Sequence, residues 1–131
     1  MNRPKHAGLR HLALNTRNLE AMRHFYVDLL GFTIEWQPDP DNVYLTSGVD
    51  NLALHRVDGL PPPGEMGALD HLGFVVPTYE DVDAWYARVL AAGFRADTEP
   101  RTHRDGARSF YMRDPEQNRI QIIHHPPISG S

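Results

Sequence analysis

The sequence predicts an α+β fold built from two βαβββ modules, and three observations carry that prediction. Residues 9–32 are echoed by residues 69–94, each copy opens on a histidine in an alternating apolar stretch, and each helical stretch is followed by short runs of strand character. The first copy reads LRHLALNTRNLEAMRHFYVDLLGF and the second LDHLGFVVPTYEDVDAWYARVLAAGF. Leu9 matches Leu69, His11 matches His71, Leu12 matches Leu72, Glu20 matches Glu80, Tyr26 matches Tyr86 and Leu30 matches Leu90; Gly31-Phe32 matches Gly93-Phe94 after two inserted residues. A chain of 131 residues, 40% apolar, supports one sizeable core and not two independent domains. The copies are therefore read as halves of a single domain over 1–131: module one at about 8–58, a linker at 59–67 and module two at about 68–125.

In module one, residues 9–15 alternate as a half-buried strand, with Leu12 and Leu14 on one face and His11, Ala13 and Asn15 on the other. A helix is predicted from Leu19 to Leu30. Its apolar positions Leu19, Met22, Phe25, Tyr26, Leu29 and Leu30 recur at three- and four-residue steps, Asn18 can cap its start, and Gly31 can end it in the left-handed region. The helix stripe should cover Leu12 and Leu14, which turns His11 away from it. Strands are predicted at Thr33–Trp36, Val43–Ser47 and Asn51–Val57, with an acidic loop at Gln37–Asn42.

Module two repeats the pattern. Leu72, Phe74 and Val76 should meet a helix that begins with a Thr78/Asp81 capping box and presents Val82, Trp85, Tyr86, Val89 and Leu90, while His71 and Gly73 face the other way. Further strands are predicted at Phe94–Asp97, Ser109–Arg113 and Arg119–His124. The loop Glu99–Arg108 carries Arg101, His103, Arg104 and Arg108; it reads either as a solvated hairpin or as a lid that recognises anions. His124 and His125 stand beside a Pro-Pro-Ile-Ser-Gly-Ser tail with a frayed look.

Composition narrows the function classes. With no cysteine there is no disulfide framework and no thiolate metal site, so any metal must sit on nitrogen and oxygen. Thirteen basic against seventeen acidic residues argue against nucleic acid as a partner. No apolar run is long enough to span a membrane, and the opening MNRPKHAG lacks a signal's apolar stretch, so a cytoplasmic location is expected.

The two copies, RHLALNTRNLEAMRHFYVDLLGF and DHLGFVVPTYEDVDAWYARVLAAGF, with the terminal FYMRDPEQNRIQII, make the chain resemble the vicinal oxygen chelate superfamily from about Gly8 to His124. That superfamily includes glyoxalase I, bleomycin-resistance proteins, extradiol dioxygenases and fosfomycin-resistance enzymes. The resemblance implies a glyoxalase/bleomycin resistance/dioxygenase-like fold with a cavity between curved sheets and helices outside. It also implies metal ligands on the first and last strand of each module. His11 and His71 match the first-strand positions, and Gln121 stands where relatives usually carry glutamate. In module one, matching Leu52-Ala53-Leu54 to Ile120-Gln121-Ile122 puts Ala53 at the ligand position. His55, two residues on and facing the same way, could serve if the strand were bulged or the metal displaced, or else line the cavity as a polar group.

The ligand set so implied, His11, His55, His71 and Gln121, carries no anionic group. Imidazole suits a divalent transition metal (Zn, Ni, Co or Fe), with partial occupancy expected from the neutral donors. Two readings follow. One is a metal-dependent lyase, isomerase or dioxygenase acting on a small oxygen-chelating substrate, with His55 or water as base and no catalytic residue assigned. The other is a metal-free binding protein of the bleomycin-resistance type, its cavity walled by Trp36, Tyr44, Phe110, Tyr111 and Met112 unless these are core. A homodimer is expected for either.

Overall fold

In a computed structural model of the chain, which describes residues 3, 5, 7–61 and 69–129, the protein divides into two compact units, Met1–Leu60 and Pro61–Ser131. The linker expected at 59–67 lies outside the described residues from position 62 onward.

The first unit runs β1 (His11–Thr16), α1 (Leu19–Arg23), β2 (Thr33–Asp39), β3 (Asn42–Thr46) and β4 (Asn51–Arg56). Its sheet has the order β1-β4-β3-β2, with β1 parallel to β4 and the other pairs antiparallel. Alternation works as the sequence requires: Leu14 and Thr16 are buried while His11, Ala13 and Asn15 are exposed. Asn18 caps α1 by accepting from the Ala21 N–H at 3.1 Å.

The predicted single helix over Leu19–Leu30 is only partly α-helical. From His24 to Leu29 the backbone widens into a π-helix, with five-residue bonds such as Leu30 N–H to Phe25 O at 3.1 Å. The extra residue per turn lets adjacent Phe25 and Tyr26 both point inward; both are fully buried, with rings edge to face at 5.0 Å. Gly31, at φ 84°, then ends the helix in the left-handed region.

Strand β2 extends past its predicted end at Trp36 and through Pro38. It lies at the sheet edge, where a residue without an N–H is tolerated. Consequently the predicted loop Gln37–Asn42 shrinks to Pro40-Asp41.

The second unit runs β5 (Leu72–Val75), α2 (Tyr79–Ala91), β6 (Arg101–Thr102), β7 (Arg108–Arg113) and β8 (Arg119–His124), with the matching sheet order β5-β8-β7-β6. Both modules thus share the βαβββ plan that the repeat predicts. The capping box at Thr78 and Asp81 forms as expected. On α2, Val82 and Val89 are fully buried, but Trp85 and Tyr86 are half-buried and Leu90 is exposed, so the stripe is narrower than the periodicity suggested. Trp85 lies within 5.8 Å of the Arg88 guanidinium at the surface.

The strand predicted at Phe94–Asp97 is reduced to one bridge, Ala96 to Met112. Beyond it the Thr98 hydroxyl takes the Tyr111 N–H (3.0 Å) that a ladder carbonyl would have accepted, and Pro100 has no N–H to offer. The outer strand is instead β6, so the arginine-bearing segment forms a hairpin with β7. Arg108 is held there by two bonds to Asp83 at 3.1 and 2.7 Å, while Arg101 and Arg104 are exposed.

Two further expectations change. The end of β8 is not frayed: His124 is 9% exposed, and the His125 N–H donates to Ser129 Oγ at 2.6 Å. Asp114, 1% exposed, organises the β7–β8 turn by accepting from the N–H groups of Glu116 and Asn118 and from the Asn118 side-chain amide.

Candidate functional site

Strand pairing decides which side chains share the sheet face turned away from each helix. In the first unit that face carries His11, Ala13 and Asn15 of β1, Asn51, Ala53 and His55 of β4, and Tyr44 of β3. In the second it carries Gly73 of β5, Gln121 and Arg119 of β8, and Ser109 and Tyr111 of β7. His71, two residues before Gly73, sets its ring edge to face with Tyr111 at 5.6 Å.

The register also tests the match between modules. Ala53 pairs with Ala13, two residues beyond His11; Gln121 pairs with Gly73, two residues beyond His71. Ala53 therefore occupies the place in the first unit that Gln121 occupies in the second. A methyl group cannot ligate.

His55 does not take over that place. The β1–β4 register is unbroken from His11/Asn51 to Thr16/Arg56, so the bulge that could have brought His55 closer is missing. His55 pairs with Asn15, four residues along from the His11 rung, which is about 13 Å on a strand. It sits instead against Tyr44, ring centroids 5.9 Å apart, and Tyr44 stacks on Trp36 at 5.3 Å.

Each histidine on these faces has Nδ1 bound to an oxygen. His11 Nδ1 lies 2.8 Å from Asn51 Oδ1, and the Asn51 amide nitrogen donates to Glu35 at 2.6 Å. Because a carboxylate only accepts, Glu35 fixes which end of the amide faces His11. Nδ1 of His11 must then carry the proton, leaving the Nε2 lone pair open. The same logic runs from Asp39 through Asn42 to His55, at 3.0 and 2.6 Å. His71 Nδ1 donates directly to Asp70 at 2.6 Å. That hydrogen bond outweighs an opposing desolvation effect and, with weaker attraction from His71 and Arg119, holds the Asp70 carboxyl below its usual range.

Gln121, half-buried, donates its amide nitrogen to Ser109 Oγ at 3.1 Å, and Ser109 in turn meets His103 Nε2 at 3.2 Å. The Gln121 Oε1 has no hydrogen-bond partner among the described residues. In the first unit His11 thus presents Nε2, and in the second His71 presents Nε2 and Gln121 presents Oε1; imidazole nitrogen is a donor type that suits a late first-row divalent metal. Among the described residues no group of three or more His, Cys, Asp or Glu side chains is arranged to hold a metal.

Sequence reasoning missed Glu35, Asn51, Asp70 and Arg119. Glu35 lies on this face by plain alternation, since its neighbour Ile34 pairs with buried Leu45, and the register shift between Ile34 and Trp36 sets Trp36 opposite Tyr44. Nothing in the residue spacing announces that shift. Two of the side chains considered as cavity wall, Phe110 and Met112, are instead fully buried on the α2 side, with Phe110 edge to face with Tyr86. A groove of about 700 Å³ lined by Phe94, Arg95, Asp97, Arg113 and Gln117 contains none of the candidate donors.

The model of the Glyoxalase/Bleomycin resistance protein/Dioxygenase superfamily matches residues 8–122, and the chain belongs to that superfamily. Biphenyl-2,3-diol 1,2-dioxygenase 3 of Rhodococcus globerulus is 30% identical over 124 residues; the match covers 87% of this chain but 61% of the relative. Among solved structures, lactoylglutathione lyase from Agrobacterium tumefaciens superposes with a TM-score of 0.75 at 22% identity, covering 97% of this chain and all of that one. A glyoxalase/bleomycin resistance protein/dioxygenase from Alicyclobacillus acidocaldarius gives 0.73 at 22% identity, with 92% of each chain covered. These likenesses establish the fold. No helix among the described residues is long and apolar enough to cross a membrane.

Proposed function

We propose that the chain is a metal-dependent enzyme of the lyase/isomerase or dioxygenase type, acting on a small oxygen-chelating substrate, with His11, His71 and Gln121 as ligands. One observation supports this reading above the others: each of the three has one polar atom tied to a neighbour and the opposite donor atom left open. A divalent Zn, Ni, Co or Fe ion held there supplies Lewis-acid polarisation of a chelated oxygen. Asn51 and Asp70 hold the two imidazoles in the tautomer that offers Nε2, and Ser109 turns the Gln121 amide so that its oxygen is the free end. His55 lies on the same face as His11 and is a candidate to move a proton, since Asn42 likewise leaves its Nε2 open. The reading includes a single domain, a homodimer and a cytoplasmic setting.

The second reading is a metal-free protein that binds a small molecule. It is favoured by Ala53, 1% exposed, and by Gln121, which leave both last-strand ligand positions without a carboxylate. Metal titration of tag-free protein separates the two. The enzyme reading expects about one transition-metal ion per chain, lost in both His11→Ala and His71→Ala. A wild-type chain that takes up no Zn, Ni, Co or Fe, and whose melting temperature none of them moves, favours the binding protein.

A further inference from the structure

Arg113 and Arg119 are direct cross-strand partners on β7 and β8, a like-charge pairing that costs stability unless the charges are answered. Arg113 is answered. Its guanidinium donates to Asp97 at 2.7 Å and to the Gln117 carbonyl at 3.2 Å.

Arg119 is treated differently. It is half-buried, its guanidinium carbon lies 3.9 Å from the Tyr111 ring centroid, and its Nε is buried with no hydrogen-bond partner. Among the described residues it forms no ion pair. Its charge is felt by Asp70, which is already committed to His71 at 2.6 Å. A partly desolvated cation with an idle donor is costly, and the charge part of that cost falls when an anion reaches the outer nitrogens. Tyr111 stacks with the cation on one side and meets His71 edge to face at 5.6 Å. On β8, Arg119 is two residues from Gln121, about 7 Å along the strand and on the same face.

Resting on the reading of His71 and Gln121 as ligands, we infer that Arg119 is the specificity residue for an anionic group on the substrate: the molecule bound here is an oxygen chelator that also carries a carboxylate. A guanidinium held by an aromatic ring keeps its outer N–H fork free, and that fork matches a carboxylate in two parallel bonds. The neutral ligand set adds to the preference, because no carboxylate among those ligands offsets the metal's charge.

The test compares catechol with 3,4-dihydroxybenzoate, two chelators that differ by a carboxylate, using the full chain with and without added cobalt. Wild type should bind 3,4-dihydroxybenzoate about tenfold more tightly or better, the scale of charge-assisted hydrogen bonds to a partly exposed guanidinium. Arg119→Met should lose the preference. Arg119→Lys, which keeps a cation but not the fork, should retain part of it, and thermal unfolding checks that both variants are folded. Equal affinities in wild type, or a preference that survives in folded Arg119→Met, overturns the inference. Cobalt affinity, read in the same titrations, reports on the ligand reading separately: a chain that binds no cobalt defeats that reading and the chelating part of this one, while a carboxylate preference lost in Arg119→Met still upholds the Arg119 contact.

Discussion

Asn51 Oδ1 stands 2.8 Å from Nδ1 of His11, and the other end of the same amide is pinned 2.6 Å from Glu35. Asn51→Leu should therefore release the His11 ring and weaken metal binding by about 10–100-fold, the usual scale for losing an outer partner of a ligating histidine. Asn51→Asp keeps an acceptor oxygen toward His11 but sets a second carboxylate against Glu35, so it should recover much of the loss only together with Glu35→Gln. Nitrogen-15 shifts of the His11 ring in the metal-free protein check the cause: Nδ1 protonated in wild type, mixed tautomers in the leucine variant. Unchanged shifts would show that the amide does not set the tautomer.

Gln121 is the position where a single atom exchange is most informative. If it is a ligand, Gln121→Glu adds an anionic oxygen, so nickel or zinc should raise the variant's melting temperature more than that of wild type. If the face has been remade for metal-free binding, the same change leaves a half-buried carboxylate beside Ser109, at a cost of about 1–3 kcal/mol. Thermal unfolding with and without metal decides. A variant that is destabilised and indifferent to metal would sink the ligand assignment.

Burial ranks two aromatic truncations that periodicity alone had put level. Phe25 is fully buried, and Phe25→Ala should cost about 3–5 kcal/mol. Trp85 is half-buried beside Arg88, and Trp85→Ala should cost clearly less, about 1–2 kcal/mol. Denaturant unfolding of both variants measures the order, and equal losses would contradict it.

Asp70 gives a pH signature in the metal-free chain. Its carboxyl lies below the usual 3.8, first through the hydrogen bond with His71. A folded-state value below the unfolded one contributes stability above about pH 4, and that contribution fades as the pH falls through the folded value. Carboxyl NMR titration should place the Asp70 midpoint below 3.8 in wild type and return it toward 3.8 in His71→Ala. An unshifted wild-type midpoint would mean the contact is not held in solution.

The repeat of His11 and His71, the alternation around Leu12, Leu14, Leu72 and Phe74, and the caps at Asn18 and Thr78 were legible in the sequence because each depends on residues within one turn or one strand. Side-chain period and capping are local properties, so local order suffices to read them. The same alternation correctly set His11 opposite the helix stripe. It was misjudged for Phe110 and Met112, which cannot share a face with Tyr111 between them.

What the tertiary structure alone decided depends on register between strands distant in sequence. The unbroken β1–β4 pairing placed Ala53, and not His55, level with the position of Gln121; a register shift between β2 and β3 set Trp36 opposite Tyr44. The π-helical turn at His24–Leu29 arose because burying Phe25 and Tyr26 together outweighed regular α-helical bonding. Arg119 looked in the sequence like any strand cation. Only its pairing with Arg113, and the fact that Asp97 answers one of the two and nothing described answers the other, marked it out, since charge compensation is a property of which side chains meet in space.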